Sequence, residues 1–180
     1  SLGRCVIDDD ANAIADKVKN ANVVVFATPI YYYEMSGQLK TLLDRCNPIY
    51  AGDYSFRDIY FLSTAADDAP DADARAIQGL QGWICCFDKC RLAGTVFAGG
   101  VNDPGDIAGH PALKTAFDLG AAIMRTGRGH AHQPFAGAVG RDLLGRYARQ
   151  VEREMRGELT AQPLADRRHR VEIAHAVMID

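Results

Sequence analysis

The chain has 180 residues, 48% of them hydrophobic and 24% charged, with a formal net charge of −3. That composition suits one globular domain with a sizeable core, and no apolar run of about eighteen residues suggests a membrane span. The arginines of the last third alternate with glutamates, which reads as a self-paired helix face and argues against a nucleic-acid partner. Five cysteines, an odd number, do not make a disulfide framework and fit a reducing cytoplasm.

In chain order, Asp8 to Asn20 predicts a helix, with three aspartates at its positive N-terminal end and Ile14, Ala15 and Val18 at helical spacing. Ala21 to Ala27 (Ala-Asn-Val-Val-Val-Phe-Ala) is the unbroken apolar run of a parallel strand covered on both faces. A Pro- and Tyr-rich turn from Thr28 follows. Met35, Leu39, Leu42 and Leu43 then mark a helix ended by Asn47-Pro48. Arg57 to Ala65 predicts a second strand that opens onto a small-residue, acidic loop through Pro70, and a long helix is expected from about Ala72 to Leu92. Thr95 to Val101 is a third strand, a Gly/Pro/Asp-rich loop runs through Pro111, and Leu113, Ala116, Phe117, Gly120 and Ile123 mark another helix. Strands alternating with helices imply parallel pairing through right-handed crossovers, with residues 22–28, 57–64 and 94–100 as neighbours. Beyond Gly127, Asp142 to Met155 is amphipathic and Val171 to Ile179 has strand character. The Gly-rich stretch Ala136 to Gly140 raises circular permutation, but no apolar strand precedes it. An extension that caps the domain or joins copies in a homo-oligomer is expected instead.

Cys86 and Cys90 would share a face of the long helix while Cys85 points elsewhere, and no fourth ligand stands near, so buried thiols are expected there and no metal site. His110 is expected to cap a helix or to border a ligand pocket. His130 and His132 form an isolated pair without a carboxylate. Ser36 has no nucleophile-elbow context.

Several segments resemble the NAD(P)H-dependent FMN reductases and related flavodoxin-like flavoproteins: Cys5 to Asp10, Thr28 to Arg45, Thr64 to Asp68, Gly79 to Trp83, and Gly105 to Leu113. The resemblance implies an α/β flavodoxin-like fold of three layers around a parallel sheet over residues 1–127, N-terminally incomplete, with a C-terminal helical extension over 128–180. It implies FMN as cofactor and NAD(P)H as electron donor. Thr28, Pro29, Ile30, Tyr31 and Tyr32, with Thr64, Ala65, Ala66 and Asp67, would surround the flavin ring, while Tyr33 would face the core or an oligomer partner. Hydride would pass through flavin N5 to a small-molecule acceptor: a quinone, a nitro or azo compound, a flavin or a metal ion. The sequence demands no protein acid or base for this chemistry.

Cys5 resembles the last member of a cysteine cluster in some relatives, but stands alone. The family's opening strand and phosphate loop have no counterpart in the sequence, so tight FMN binding is expected to require them. The alternative is a flavodoxin-like module without FMN that acts in assembly, or an FMN electron-transfer protein.

Overall fold

The computed structural model describes residues 3–126 and 176–179. Helix α1 (Asp10–Asn20) leads into strand β1 (Val23–Tyr31), which turns into the short β2 (Glu34–Met35) and helix α2 (Gly37–Arg45). A 3-10 turn (Asn47–Ile49) precedes β3 (Asp58–Thr64), followed by α3 (Ala74–Ile84), β4 (Arg91–Ala98), α4 (Pro111–Thr126) and β5 (Ala176–Ile179). The Asp142–Met155 segment, Ala136–Gly140, His130 and His132 lie outside the described residues.

The three expected strands are adjacent and parallel. Val23 to Pro29 pair with Asp58 to Thr64, and β3 pairs with β4 with one irregularity at Ile59/Tyr60. The sheet order is β2-β1-β3-β4, and β5 lies antiparallel on β1, with Val23 opposite Ile179 and Phe26 opposite Ala176. The second edge of the apolar β1 run is thereby covered by the C-terminal strand, which removes a row of unpaired backbone groups.

Strand parity divides the sheet into two faces. Val24, Phe26, Ile59 and Phe61 share one face, and they form a single buried cluster with Ala11, Ala15 and Val18 of α1, Leu39, Leu42 and Leu43 of α2, and Ala76, Leu80 and Ile84 of α3. Both crossovers, β1-α2-β3 and β3-α3-β4, fall on this side, as one hand of connection requires when strand order advances in one direction. On the opposite face α4 packs on β4. A Cβ placed on Gly94 would lie 3.2 Å from the Tyr60 ring and 3.5 Å from Leu119, so the glycine lets the helix close on the strand.

Four expectations need correction. The turn expected from Thr28 is strand as far as Tyr31. β-Branched and aromatic side chains favour it, and Pro29 stands between the last β5 pair, at Phe26, and the first β2 pair, at Ile30, where its missing N–H breaks no ladder on that side.

The helix expected over 72–92 ends at Ile84, and Arg91-Leu92 already belong to β4. Phe87 turns back into an aromatic cluster, its ring centroid 4.6 Å from that of Trp83 and 5.2 Å from that of Phe56, and this tertiary packing overrides the local helical preference. With the helix gone, Cys86 and Cys90 no longer share a helical face. Cys85 and Cys86 are exposed rather than buried, and only Cys90 is partly covered.

Finally, Met35 pairs in β2 and α2 begins after Ser36, whose hydroxyl accepts the Leu39 N–H.

Candidate functional site

Parallel strands place all their C-terminal ends at one edge, and the loops leaving them define where a ligand approaches an open α/β sheet. Here that edge carries the β1–β2 hairpin, the loop after β3 and the loop after β4.

The hairpin is tight. Ile30 pairs with Met35 and Tyr31 with Glu34, leaving Tyr32 and Tyr33 as a two-residue turn with φ of 52° and 67°. Such turns require the left-handed region at both central residues and are usually met by Asn or Gly, whereas a bulky L-residue there costs roughly 1–2 kcal/mol. Strain of this kind collects where function fixes the side chain. Tyr32 is 96% exposed and Tyr31 60%.

Tyr33 does not enter the core. Its hydroxyl donates to Asp67 Oδ2 at 3.2 Å, and the Arg75 guanidinium lies 5.9 Å from its ring centroid, within cation–π range.

Beneath the tip, Thr28 is buried, donating its hydroxyl to the Pro29 carbonyl (2.9 Å) and accepting the Ser36 N–H (3.0 Å). The strand end and the N-terminus of α2 are locked together through that one oxygen. Pro29 and Ile30 are half-buried beside it.

The loop after β3 is bound to the end of β4 by two backbone bonds, Ala65 N–H to the Ala98 carbonyl (3.0 Å) and Val101 N–H to the Ala65 carbonyl (2.9 Å). Ala65 is buried, while Ala66 and Asp67 are exposed and Thr64 is half-buried at the strand end. Asp67 Oδ1 accepts the Ala69 N–H at 2.9 Å, which shapes the turn. At the next strand end, a Cβ on Gly99 would lie 2.7 Å from Asp68 Cα, so only glycine permits this approach. Under the loop, Ser63 donates to Asp73 Oδ2 at 2.6 Å in a buried pair, and the Asp73 side chain makes no capping bond to α3.

Thr28 to Tyr32 and Thr64 to Asp67 therefore lie at one sheet edge, with Tyr33 bridging the two groups. Sequence reasoning missed Gly99 and Arg75, and of the two places expected for Tyr33 the core is not where it lies. The Gly99-Gly100 doublet at a strand end was the available signal for a close backbone approach.

The ledge of small residues, half-buried apolar side chains and exposed tyrosines fits a flat aromatic ring. The fit to a phosphate is poorer. Of the four described helix N-termini, α1 is capped by the Asp9 carboxylate, α2 by Ser36 and α4 by His110, whose Nδ1 accepts the Ala112 N–H, while Asp73 stands at the start of α3. Carboxylates at two of these ends disfavour a second anion. The expected capping role of His110 is thus observed.

Away from this edge, Cys5 lines a small hollow with Arg4, Val6, Asp8 and Asn12. The Ile7 backbone N–H and the Arg45 guanidinium hold its thiol below the ordinary range. No group of three potential metal ligands occurs among the described residues, and no helix among them is long and apolar enough to cross a membrane.

The sequence profile of the NADPH-dependent FMN reductases matches residues 2–81, a span that holds the hairpin, the loop after β3 and the start of α3. Over this segment the chain is similar to the FMN reductases. A Bacillus subtilis protein, YwqN, provisionally named as an NAD(P)H-dependent FMN-containing oxidoreductase, is 30% identical to the chain over 122 residues, covering 63% of this chain and 66% of that protein. An iron-sulfur flavoprotein of Archaeoglobus fulgidus is 40% identical over 52 residues, covering 29% of this chain and 27% of that protein. Among solved structures, the Trp repressor binding protein from Bacillus subtilis superposes with a TM-score of 0.52 at 26% identity, over 61% of this chain and 75% of that one. The chain spans two thirds or less of the length of these curated relatives. The FMN reductase fold, flavodoxin-like with a mostly parallel sheet, is thus common to the family and to this chain.

Proposed function

We propose that the chain acts in an FMN-dependent NAD(P)H oxidoreductase, with the isoalloxazine ring lying on the edge formed by Thr28 to Tyr32 and Thr64 to Asp67. The observation that carries this reading is the convergence of the hairpin and the β3 loop at one sheet edge, fastened by Tyr33 and Asp67. When bound, FMN supplies the redox chemistry, taking hydride from a nicotinamide and delivering electrons to a small-molecule acceptor such as a quinone, a nitro or azo compound, a flavin or a metal ion. The protein's part is to bind and orient. Pro29 and Ile30 give the ring an apolar floor, Thr28 shapes that floor with a hydroxyl already committed inside the protein, and Ala65 and Ala66 leave room for close backbone approach. Tyr31 and Tyr32 offer faces against which planar molecules stack.

Residues 1–127 form the flavin-facing unit in this reading, and 128–180 extend it, with β5 returning to the same sheet. Exposed Leu113 and Phe117 on α4 are consistent with a homo-oligomer, and the free cysteines with a cytoplasmic location. The carboxylates at the starts of α1 and α3 favour a second reading, a flavodoxin-like module that binds no FMN.

Titration of the protein with FMN, followed by quenching of flavin fluorescence, separates the two. Binding that is lost on the paired substitution Pro29→Glu and Ile30→Glu supports the proposed site. Binding that survives this pair removes these residues from it, and absence of binding both by the 180-residue chain and by a version extended upstream from its own coding frame favours the module.

A further inference from the structure

The hairpin tip is strained and half-anchored. Tyr32 and Tyr33 both occupy the left-handed region, but only Tyr33 has partners among the described contacts, with its hydroxyl on Asp67 and its ring under Arg75. Asp67 uses its two carboxylate oxygens separately, Oδ2 for Tyr33 and Oδ1 for the Ala69 N–H. The β3 loop that carries Asp67 is itself held to the end of β4 through Ala65, with Gly99 admitting Asp68 at close range. A chain of contacts therefore runs from the hairpin tip through Asp67 to β4, spanning the edge that a ring would occupy.

We propose that Tyr33 is a positioning residue whose hydrogen bond to Asp67 fixes the hairpin tip against the loop after β3, and so sets the separation of the two walls of the flavin ledge. The proposal rests on the flavin reading above. Neither residue needs to touch the reacting atoms. Tyr33 holds its neighbour Tyr32 at the tip in an exposed orientation, and it keeps the Asp67 carboxylate turned toward the hairpin. The left-handed backbone at position 33 is then the consequence of directing a long phenol back across the gap, a reach that Gly or Asn could not make.

The test uses the full chain with Tyr33→Phe, Asp67→Ala, Asp67→Asn and the double variant Tyr33→Phe/Asp67→Ala. Three quantities are read: FMN affinity, amide exchange over residues 65–69 in flavin-free protein, and melting temperature. Tyr33→Phe keeps the ring under Arg75 and removes only an exposed hydrogen bond, so the melting temperature should stay near wild type while exchange at Ala69 accelerates and FMN affinity falls about severalfold, because the loop spends part of its time out of the binding arrangement. Asp67→Asn, which retains an acceptor, should bind better than Asp67→Ala, and the double variant should be no worse than Asp67→Ala alone. Wild-type exchange in Tyr33→Phe, or losses that simply add in the double variant, overturns the proposal. If neither the wild-type chain nor a version extended upstream from its own coding frame binds FMN, the functional reading fails separately, and the exchange rates alone decide whether Tyr33 fixes the loop.

Discussion

Gly99 and Asp68 approach so closely that a single added carbon on the glycine would lie 2.7 Å from the aspartate Cα and 3.0 Å from the Asp67 carbonyl oxygen. Both obstacles are backbone, which cannot rotate away. Gly99→Ala should therefore push the loop after β3 off the end of β4, at a cost of about 1–3 kcal/mol. Urea unfolding measures the loss, and the same variant should bind FMN more weakly than wild type because Asp67 moves with Asp68. A variant with wild-type stability and affinity would show that the loop yields freely.

The Ser63–Asp73 pair lies beneath the same loop. Both side chains are buried and 2.6 Å apart, so Ser63→Ala deprives a buried carboxylate of its hydroxyl donor. The expected destabilisation is about 1–3 kcal/mol, read from chemical unfolding. Ser63→Thr, which keeps the hydroxyl, should recover part of it. Equal stability of all three proteins would mean that another donor takes over.

At the far side of α1, Asp9 caps the helix by accepting the Ala11 N–H and pairs with Arg45, and that guanidinium holds its carboxyl below the ordinary 3.8. A depressed folded value means that the unfolded state takes up the proton first. The contribution is therefore present above 3.8 and is lost as pH falls through the folded value. Asp9→Asn should be less stable than wild type at neutral pH, and the difference should shrink on acidification below 3.8. A gap that stays constant through the acid range would show that the charge plays no part.

Thiol chemistry separates the cysteines. Burial pushes Cys46 from 9.0 up to about 12 and Cys90 to about 11, whereas Cys85 and Cys86 are exposed. A thiol reagent at neutral pH should label Cys85 and Cys86 rapidly and reach Cys46 only on unfolding, as peptide mass spectrometry after timed quenching resolves. The neutral Cys46 thiol stabilises the fold fully below 9.0, and this contribution fades as pH rises toward about 12. Rapid native-state labelling of Cys46 would contradict its place in the core.

The parts of this architecture legible in the sequence were those with strong one-dimensional signals. The Val23 to Ala27 run could only be a strand covered on both faces, and Leu39, Leu42 and Leu43 could only be one face of a helix. What escaped depended on contacts distant in sequence. Phe87 leaves the helical path because Trp83 and Phe56 offer it a pocket, while Thr28 and Pro29 stay extended because β3 runs alongside and Ile30 and Tyr31 because they pair with Met35 and Glu34 of β2. Tyr33 meets a carboxylate thirty-four positions away, as no local pattern could reveal. The antiparallel pairing of β5 on β1 belongs with these, since strand character at 171–179 says nothing of direction.

The central claim is that the edge formed by the C-terminal ends of β1, β3 and β4 receives the flavin ring. Backbone amide chemical shifts of isotopically labelled protein, followed while FMN is added, test it most directly. The account predicts perturbations centred on residues 30–33, 65–69 and 99–101, with the Arg4 to Asn12 hollow and the buried aromatic cluster around Phe56 unchanged. Perturbations confined to that hollow, or none at the three loops when FMN is bound, would contradict it.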